Sequence, residues 1–453
     1  MVATENWGPR HIVAVVGGAT AGSEIARLLA ERGVLVIVIE QNPRPYGKIE
    51  DGLPRWHVNQ RKDEYEETNH RLDNPNVFFL PLTRLGRDIG FRELIDVWRP
   101  SALVLAHGAW RDRRFPVDGA DKYVDCGLIY QNSLIYWFNH YPEAGYKGPH
   151  YELCPGALVI GGGLASIDVV KILQIEMTLK ELAARGIKEE MVRIEREGIE
   201  PVLAKYGLKW ADLAIKPCKL FYRRRIIDMP LSDIPPNATP QRAEALRQAR
   251  GKILDKAQRK FLFEFQDQRV PTGLIVENDR LVGLKLSRTE VADGQVRTVP
   301  NSEEEVRGGL TISSIGSIPV PMPGIPQRGE VYDYIDQKTG LLLDDPILVF
   351  AAGNVLTGKG NIKDSLESGS EIGGLLAERY LGLSGERIAL GERMRHRTTE
   401  QGEAIADAIA HRPPLSESEV AELIRRVRER QRAVGYDGNY HSWIAKVTPP
   451  DLQ

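Results

Sequence analysis

Residues 12–40 read IVAVVGGATAGSEIARLLAERGVLVIVIE. The apolar run Ile12 to Val16 has the pattern of a strand buried on both faces. Gly17, Gly18, Ala19, Ala21 and Gly22 form a small-residue turn, an Ala/Leu-rich helix follows, and Val34 to Ile39 is a second apolar run. Strand, glycine turn, helix and strand in this order make a β-α-β unit of the dinucleotide-binding kind. A pyrophosphate needs close approach of the backbone and helix N-terminal N–H groups aimed at its charge, which is why glycine occupies such turns. Ala19 replaces the middle glycine of G-x-G-x-x-G, so the turn decides little by itself. Glu40, closing the second run with Gln41 beside it, adds the missing weight. A carboxylate there accepts hydrogen bonds from both ribose hydroxyls of an adenosine and repels a 2'-phosphate, so this site suits FAD or NAD better than NADP. The other reading is a structural turn followed by a surface glutamate.

Further along, Val77 to Leu80 and Ala102 to Ala106 are strand-like, the latter leading into His107 and Gly108. Alternating strands and helices predict an α/β fold with a parallel sheet. The pattern then restarts. Ala157 to Ile160 precedes Gly161, Gly162 and Gly163, and Leu164, Ala165 and Ser166 open another helix that carries Asp168. No acid closes the next strand of this second unit; Lys219 to Tyr222 runs into Arg223, Arg224 and Arg225. Guanidinium groups offer charge and paired donors to a phosphate, which favours NADP(H) at the second turn, with NAD as the alternative cofactor. Three consecutive arginines cannot all face one ligand, and a solvated strand end is the competing reading.

The chain has 453 residues, 42% hydrophobic and 27% charged, with a formal charge of -2. That length predicts two to three domains, and no apolar run is long enough to span a bilayer. The charge excludes a generally basic nucleic-acid binder. Cys126, Cys154 and Cys218 lie too far apart for a Cys-x-x-Cys pair or a cluster-binding cassette, so a redox carrier has to be a bound organic cofactor. No signal-peptide pattern precedes Ile12, which points to the cytoplasm. Charged stretches from about Lys171 to Leu213 and from Arg242 to Phe265 have helical periodicity and read as solvated helices. A Pro-rich link from Pro319 to Pro326 precedes a strand-like run, Ile347 to Ala352, and a further helix is expected from Ser365.

Several segments tie these units to one family. Arg44, Pro45, Tyr46, Gly47 and Lys48 follow the ribose acid, then Gly52, Pro54 and His57; Ala106, Gly108, Ala109 and Asp112 come later. Tyr136, Trp137, Phe138, Asn139 and Pro142 answer no general nucleotide-binding demand. Ser314, Ile315, Gly316, Pro321, Gly324 and Pro326 precede a closing segment that includes Gly353, Asn354, Gly358, Gly360, Asn361, Ile362 and Asp364. Over most of residues 11–385 the chain resembles the adrenodoxin reductase type of ferredoxin-NADP reductase, within the wider group that includes the glutamate synthase small subunit. Tyr222, Arg223, Arg224, Met229 and Pro230 are similar to the glutamate synthase branch.

The resemblance implies two Rossmann-like dinucleotide-binding domains, with the NAD(P) domain inserted into a split FAD domain, followed by a helical C-terminal extension. The expected boundaries are 1–118, 119–328, 329–390 and 391–453. It also implies hydride exchange between nicotinamide and flavin, and a ferredoxin or other small iron-sulfur protein as one-electron partner. Related flavoproteins carry Asp where this chain has Asn354. His57 matches a family histidine beside the flavin and is the catalytic candidate for proton handling or nicotinamide placement, with a structural role as the other reading. Asn361 and the backbone around Ile362 are candidates for the isoalloxazine edge, although helix capping would explain Asn361 equally well. Arg393, Arg395, Arg397 and the arginines from Arg425 to Arg432 read either as a docking face for an acidic partner or as a solvated helix face, since Glu422 and Glu429 are interspersed. A second functional reading makes the chain a flavin and nucleotide subunit of a larger iron-sulfur hetero-oligomer, with the tail as its interface.

Overall fold

Two parallel sheets account for the strand-like runs. In the computed structural model, which describes residues 8, 10–231, 234, 238–292, 294–357 and 390–449 and only the backbone at 357 and 390–397, the first sheet has six strands. Their spatial order is Leu341–Leu343, Leu348–Ala351, Ala102–Leu105, Ile12–Val16, Leu35–Ile39 and Val77–Leu80. All neighbours are parallel except the Leu341–Leu343 edge. Every residue of Ile12–Val16 and Leu35–Ile39 is buried because both faces of the sheet are covered, which explains unbroken apolar runs rather than alternation.

The second sheet orders Leu128–Tyr130, Thr311–Ser314, Leu158–Gly161, Lys219–Phe221 and Glu264–Gln266, all parallel. Its strands lie in sequence wholly between Ala102–Leu105 and Leu341–Leu343. The chain therefore leaves the first sheet, builds the second and returns, which is the inserted arrangement the resemblance implies.

A four-stranded antiparallel sheet, centred on Arg280–Ala292 and flanked by Arg269–Glu277, Gln295–Thr298 and Glu304–Arg307, was not foreseen. Its signal was present: Asn278 and Asp279 take positive φ of 49° and 57° between two strands. Two left-handed central residues make the tight hairpin whose twist matches that of the strands.

Leu164–Ala184, expected in part as a solvated helix, is instead a core element, and Lys171 is fully buried within it beside Glu195 and the Trp56 ring. The tail belongs to the first unit. Val420, Leu423, Ile424 and Val427 of helix Glu417–Ala433 pack into the core of one sheet face. On the other face lie Ile405 and Ile409 of helix Leu390–Ala410, joined by Tyr436, Tyr440 and Trp443. Each fully buried aliphatic side chain contributes about 1.5–3 kcal/mol. In helix Glu417–Ala433, Arg425 pairs with Glu422 and Glu429, Arg426 with Glu422, and Arg430 with Glu93 and the Asp88 carbonyl, while the side chains of Arg393, Arg395 and Arg397 lie outside the described residues. Among the described residues no helix is long and apolar enough to cross a membrane.

Candidate functional site

Gly17 turns the chain at φ 98°, and a Cβ there would stand 2.6 Å from the Ala106 carbonyl oxygen. A Cβ on Gly22 would lie 1.8 Å from the Gly17 carbonyl oxygen, so helix Thr20–Glu31 leaves the strand tightly only with glycine at both positions. Ala19 caps that helix without a side-chain hydrogen bond, which leaves N-terminal N–H groups available to an anion. Ala19 thus keeps the turn geometry that the broken motif had put in question.

Glu40 closes the adjacent strand. Its Oε2 accepts from Gly18 N at 2.9 Å and its Oε1 from Asn42 N at 2.9 Å. Burial pushes the carboxyl up to about 7 against the pull of these N–H groups.

A cavity of about 560 Å³ opens above the turn, within the usual size range of about 300–1,000 Å³ for ligand sites. Gly17, Ala19, Ala21, Glu40 and Gln41 line it, as do Gly47 and Lys48, then Ala106, His107 and Gly108, and finally Asn354. Gly18 lies beneath, where a Cβ would meet Pro45, and Gly353 turns at φ 61° against Ala21. Segments far apart in sequence thus converge on one space. Tyr46, Asp51, Trp110, Tyr136 and Met322 also line it. Trp110 and Met322 carried no motif, whereas Tyr46 and Tyr136 stood in segments quoted for the family resemblance without being picked as ligands. Gly360, Asn361 and Ile362 lie outside the described residues.

His107 is fixed by its neighbour. The Tyr332 hydroxyl donates to the Val320 carbonyl at 2.8 Å, so its oxygen is left to accept from His107 Nε2 at 3.2 Å. The proton then sits on Nε2 and Nδ1 is an acceptor, which has no partner among the described residues. Burial lowers this imidazole to about 4 and keeps it neutral. His57 is placed differently. It caps helix Val58–Leu72, its Nε2 accepts from Trp56 Nε1 at 2.8 Å, and it is not one of the cavity-wall residues.

The second turn repeats the first with other partners. A Cβ on Gly161 would stand 2.2 Å from both Ser166 Oγ and the Ser314 carbonyl, and one on Gly162 would enter the Tyr222 ring. The Ser166 hydroxyl is committed to Ser314, at 3.2 Å from its carbonyl and 3.0 Å from its Oγ. Gly163 caps helix Leu164–Ala184 with no side-chain bond, and Gly163, Leu164 and Ala165 stay partly exposed, so this helix N-terminus is also open. Strand Lys219–Phe221 runs parallel beside Leu158–Gly161 and delivers the three arginines next to the turn. Arg225 Nε donates to Asp228 at 2.8 Å, whereas Arg223 and Arg224 carry no ion pair among the described residues.

The element from Tyr136 to Asn139 holds the two units together. Asn139 Nδ2 donates to the Glu50 carbonyl at 2.8 Å and the Leu53 carbonyl at 3.0 Å, and Arg55 reaches Tyr141 and Glu176 across the same junction. Two glycine-rich turns, two open helix N-termini, an acid beside the first and two guanidinium groups without an ion pair among the described residues beside the second fit FAD and NADP(H) respectively.

No protein-family model matches the chain. The mitochondrial NADPH:adrenodoxin oxidoreductase of Arabidopsis thaliana is 25% identical over 347 residues, 70% of each chain. A probable ferredoxin/ferredoxin--NADP reductase of Mycobacterium leprae is 25% identical over 322 residues, 67% of this chain and 54% of that protein, so the chain spans about half the length of this relative. Among solved structures, Mycobacterium tuberculosis FprA in complex with NADPH superposes with a TM-score of 0.56 at 18% identity, covering 91% of this chain and 99% of the other. The chain is similar to proteins named NADPH:adrenodoxin oxidoreductase and ferredoxin--NADP reductase, and it shares the fold of FprA.

Proposed function

We propose that the protein is an FAD-dependent NADP(H) oxidoreductase of the ferredoxin-NADP reductase type, passing electrons between NADP(H) and an iron-sulfur protein. The observation that carries this reading is the pair of open glycine turns, one beside buried Glu40 and one beside Arg223 and Arg224, on two sheets of which the second is inserted into the first.

Bound FAD supplies the chemistry, accepting a hydride and releasing electrons one at a time. The protein's task is alignment. Glu40 receives the adenosine ribose hydroxyls, and the N-terminus of helix Thr20–Glu31 faces the pyrophosphate. Arg223 and Arg224 hold the 2'-phosphate of NADP(H), whose pyrophosphate lies on the N-terminus of helix Leu164–Ala184. Asn139 and Arg55 fix the spacing of the two units that would hold the two cofactors. His57 is assigned no step, because it is not among the residues that line the cavity. The three cysteines are unpaired, which suits a reducing compartment, the cytoplasm.

Anaerobic stopped-flow mixing tests the reading. NADPH is expected to bleach the bound flavin faster than NADH does, and a ferredoxin added next to restore the oxidised spectrum. A colourless protein that takes up no added FAD would overturn it.

A further inference from the structure

Lys48 lies in the cavity wall, directly after the left-handed Gly47, yet its ammonium is held by residues beyond the first unit. Nζ donates to Asn132 Oδ1 and to Ser317 Oγ, both at 3.3 Å. Asn132 is oriented for this task, since its amide nitrogen donates to Ser317 Oγ at 3.0 Å and to the Trp110 carbonyl at 3.1 Å, leaving its oxygen as the acceptor. Nζ stands 5.4 Å from the centre of the Trp110 ring, and Trp110 is a wall residue of the same cavity.

Both acceptors are neutral, and Lys48 has no ion pair among the described residues. One of its three N–H groups is left without a protein acceptor among them. Burial lowers the ammonium to about 8, with Asp112 pulling the other way, so it stays largely charged at neutral pH. A half-buried cation without an ion pair among the described residues costs stability unless a ligand compensates it. Its reach towards Asn132 and Ser317 carries it from the turn where a pyrophosphate would sit to the junction where the two bound rings would meet.

We propose that Lys48 is a tuning residue for the flavin: its ammonium lies against the isoalloxazine ring and stabilises the negative charge that arrives on reduction. Hydride transfer from NADPH moves two electrons and one proton, NADP+ leaves, and the flavin site gains one negative charge that Lys48 faces without being consumed. A charge beside the ring is one of the means by which a protein sets flavin electronics. This inference rests on FAD occupying the first cavity.

The test compares Lys48→Met and Lys48→Gln, which remove the charge, with Lys48→Arg, which keeps it. For each, flavin content, far-UV circular dichroism, affinity for oxidised FAD and the midpoint potential of the bound flavin are measured. Affinity for sulfite, whose addition also leaves the oxidised ring with negative charge, is a second probe. The expected result is at least a tenfold loss in the preference for reduced over oxidised FAD in both neutral variants, a fall of about 30 mV for a two-electron couple. Weaker sulfite binding should accompany it, and Lys48→Arg should retain most of the potential. Neutral variants that hold FAD at an unchanged potential would overturn the proposal and leave the cofactor assignment standing. An equal loss of affinity in both redox states would also overturn it, by assigning Lys48 to the pyrophosphate. A wild-type protein that takes no FAD would overturn the cofactor assignment and this inference with it.

Discussion

His140 Nε2 lies 2.9 Å from Asp51 Oδ1, and its Nδ1 lies 2.8 Å from Glu143 Oε1, so one imidazole of the inserted unit grips a carboxylate in the wall of the first unit's cavity. With Asn139 beside it on the carbonyls of Glu50 and Leu53, this contact places the short helix Lys48–Asp51 against helix Gln131–His140.

The clamp predicts a pH dependence of stability. Burial opposes charge on His140, but the hydrogen bonds to Asp51 and Glu143 outweigh it and raise the imidazole to about 9, above its ordinary value of about 6.5. A raised folded value means that the contribution is complete below pH of about 6.5 and is lost as pH rises through about 9. Urea unfolding from pH 6 to 10 should show that decline, and His140→Gln should flatten it while costing about 1–3 kcal/mol at neutral pH. An unaltered profile in the variant would separate the clamp from the pH effect.

Glu40 predicts the opposite sign for cofactor uptake. Its folded value of about 7 stands above the ordinary carboxylate range, so the cofactor-free protein loses stability as pH rises from about 4 through 7. Ribose hydroxyls donate to the ionised carboxylate, so affinity for FAD should rise over the same interval. Fluorescence titration between pH 5.5 and 8.5 checks this. Glu40→Gln should remove the pH step and weaken binding about 10- to 100-fold at pH 8, the worth of hydrogen bonds to a charged group.

Strand positions were legible because a strand buried on both faces shows itself as a bare apolar run. Ile12–Val16 and Val77–Leu80 match the sequence reading residue for residue. Val34 falls outside its strand because its N–H goes to the Leu29 carbonyl and closes the preceding helix. The turns and Glu40 were legible from local spacing. The meeting of Lys48, Asn132 and Ser317 was not, since it depends on how one sheet is seated on the other. Lys171 misled for a similar reason: charge at helical spacing reads as solvent-facing, and only tertiary contact supplies Glu195 and Trp56 to a buried ammonium. The segment Tyr136 to Asn139 was recognisable as a family pattern, but its role at the junction rests on Asn139 in place and on His140, which no pattern singled out.

The tail offers a stability test. Val427 is fully buried against the first sheet, together with Val420 and Leu423. Val427→Asp places a charge in that layer and should cost on the order of 3–5 kcal/mol in urea unfolding. Arg425→Ala removes only exposed pairs and should leave the urea midpoint nearly unchanged. Equal effects from both variants would contradict the tail's role as a covering layer.

The arginine run makes a prediction that distinguishes its three members. Arg225 is held by Asp228, at 2.8 Å from Nε and 3.1 Å from Nη2, so it is already spent on its own loop. Arg223 and Arg224 follow the strand beside the second glycine turn and carry no such pair among the described residues. A 2'-phosphate bound there would gain charge-assisted hydrogen bonds worth about 1.5–3 kcal/mol each. Arg223→Ala and Arg224→Ala should therefore each raise the KM for NADPH about 10- to 100-fold and leave that for NADH nearly unchanged, because NADH lacks the phosphate. Arg225→Ala should alter neither constant by more than about threefold, since its loss removes only an exposed pair worth less than about 1 kcal/mol. Steady-state diaphorase assays with both nucleotides measure all three. A parallel loss for NADPH and NADH would place the arginines against the shared pyrophosphate instead, and the preference for NADP(H) would then need another source.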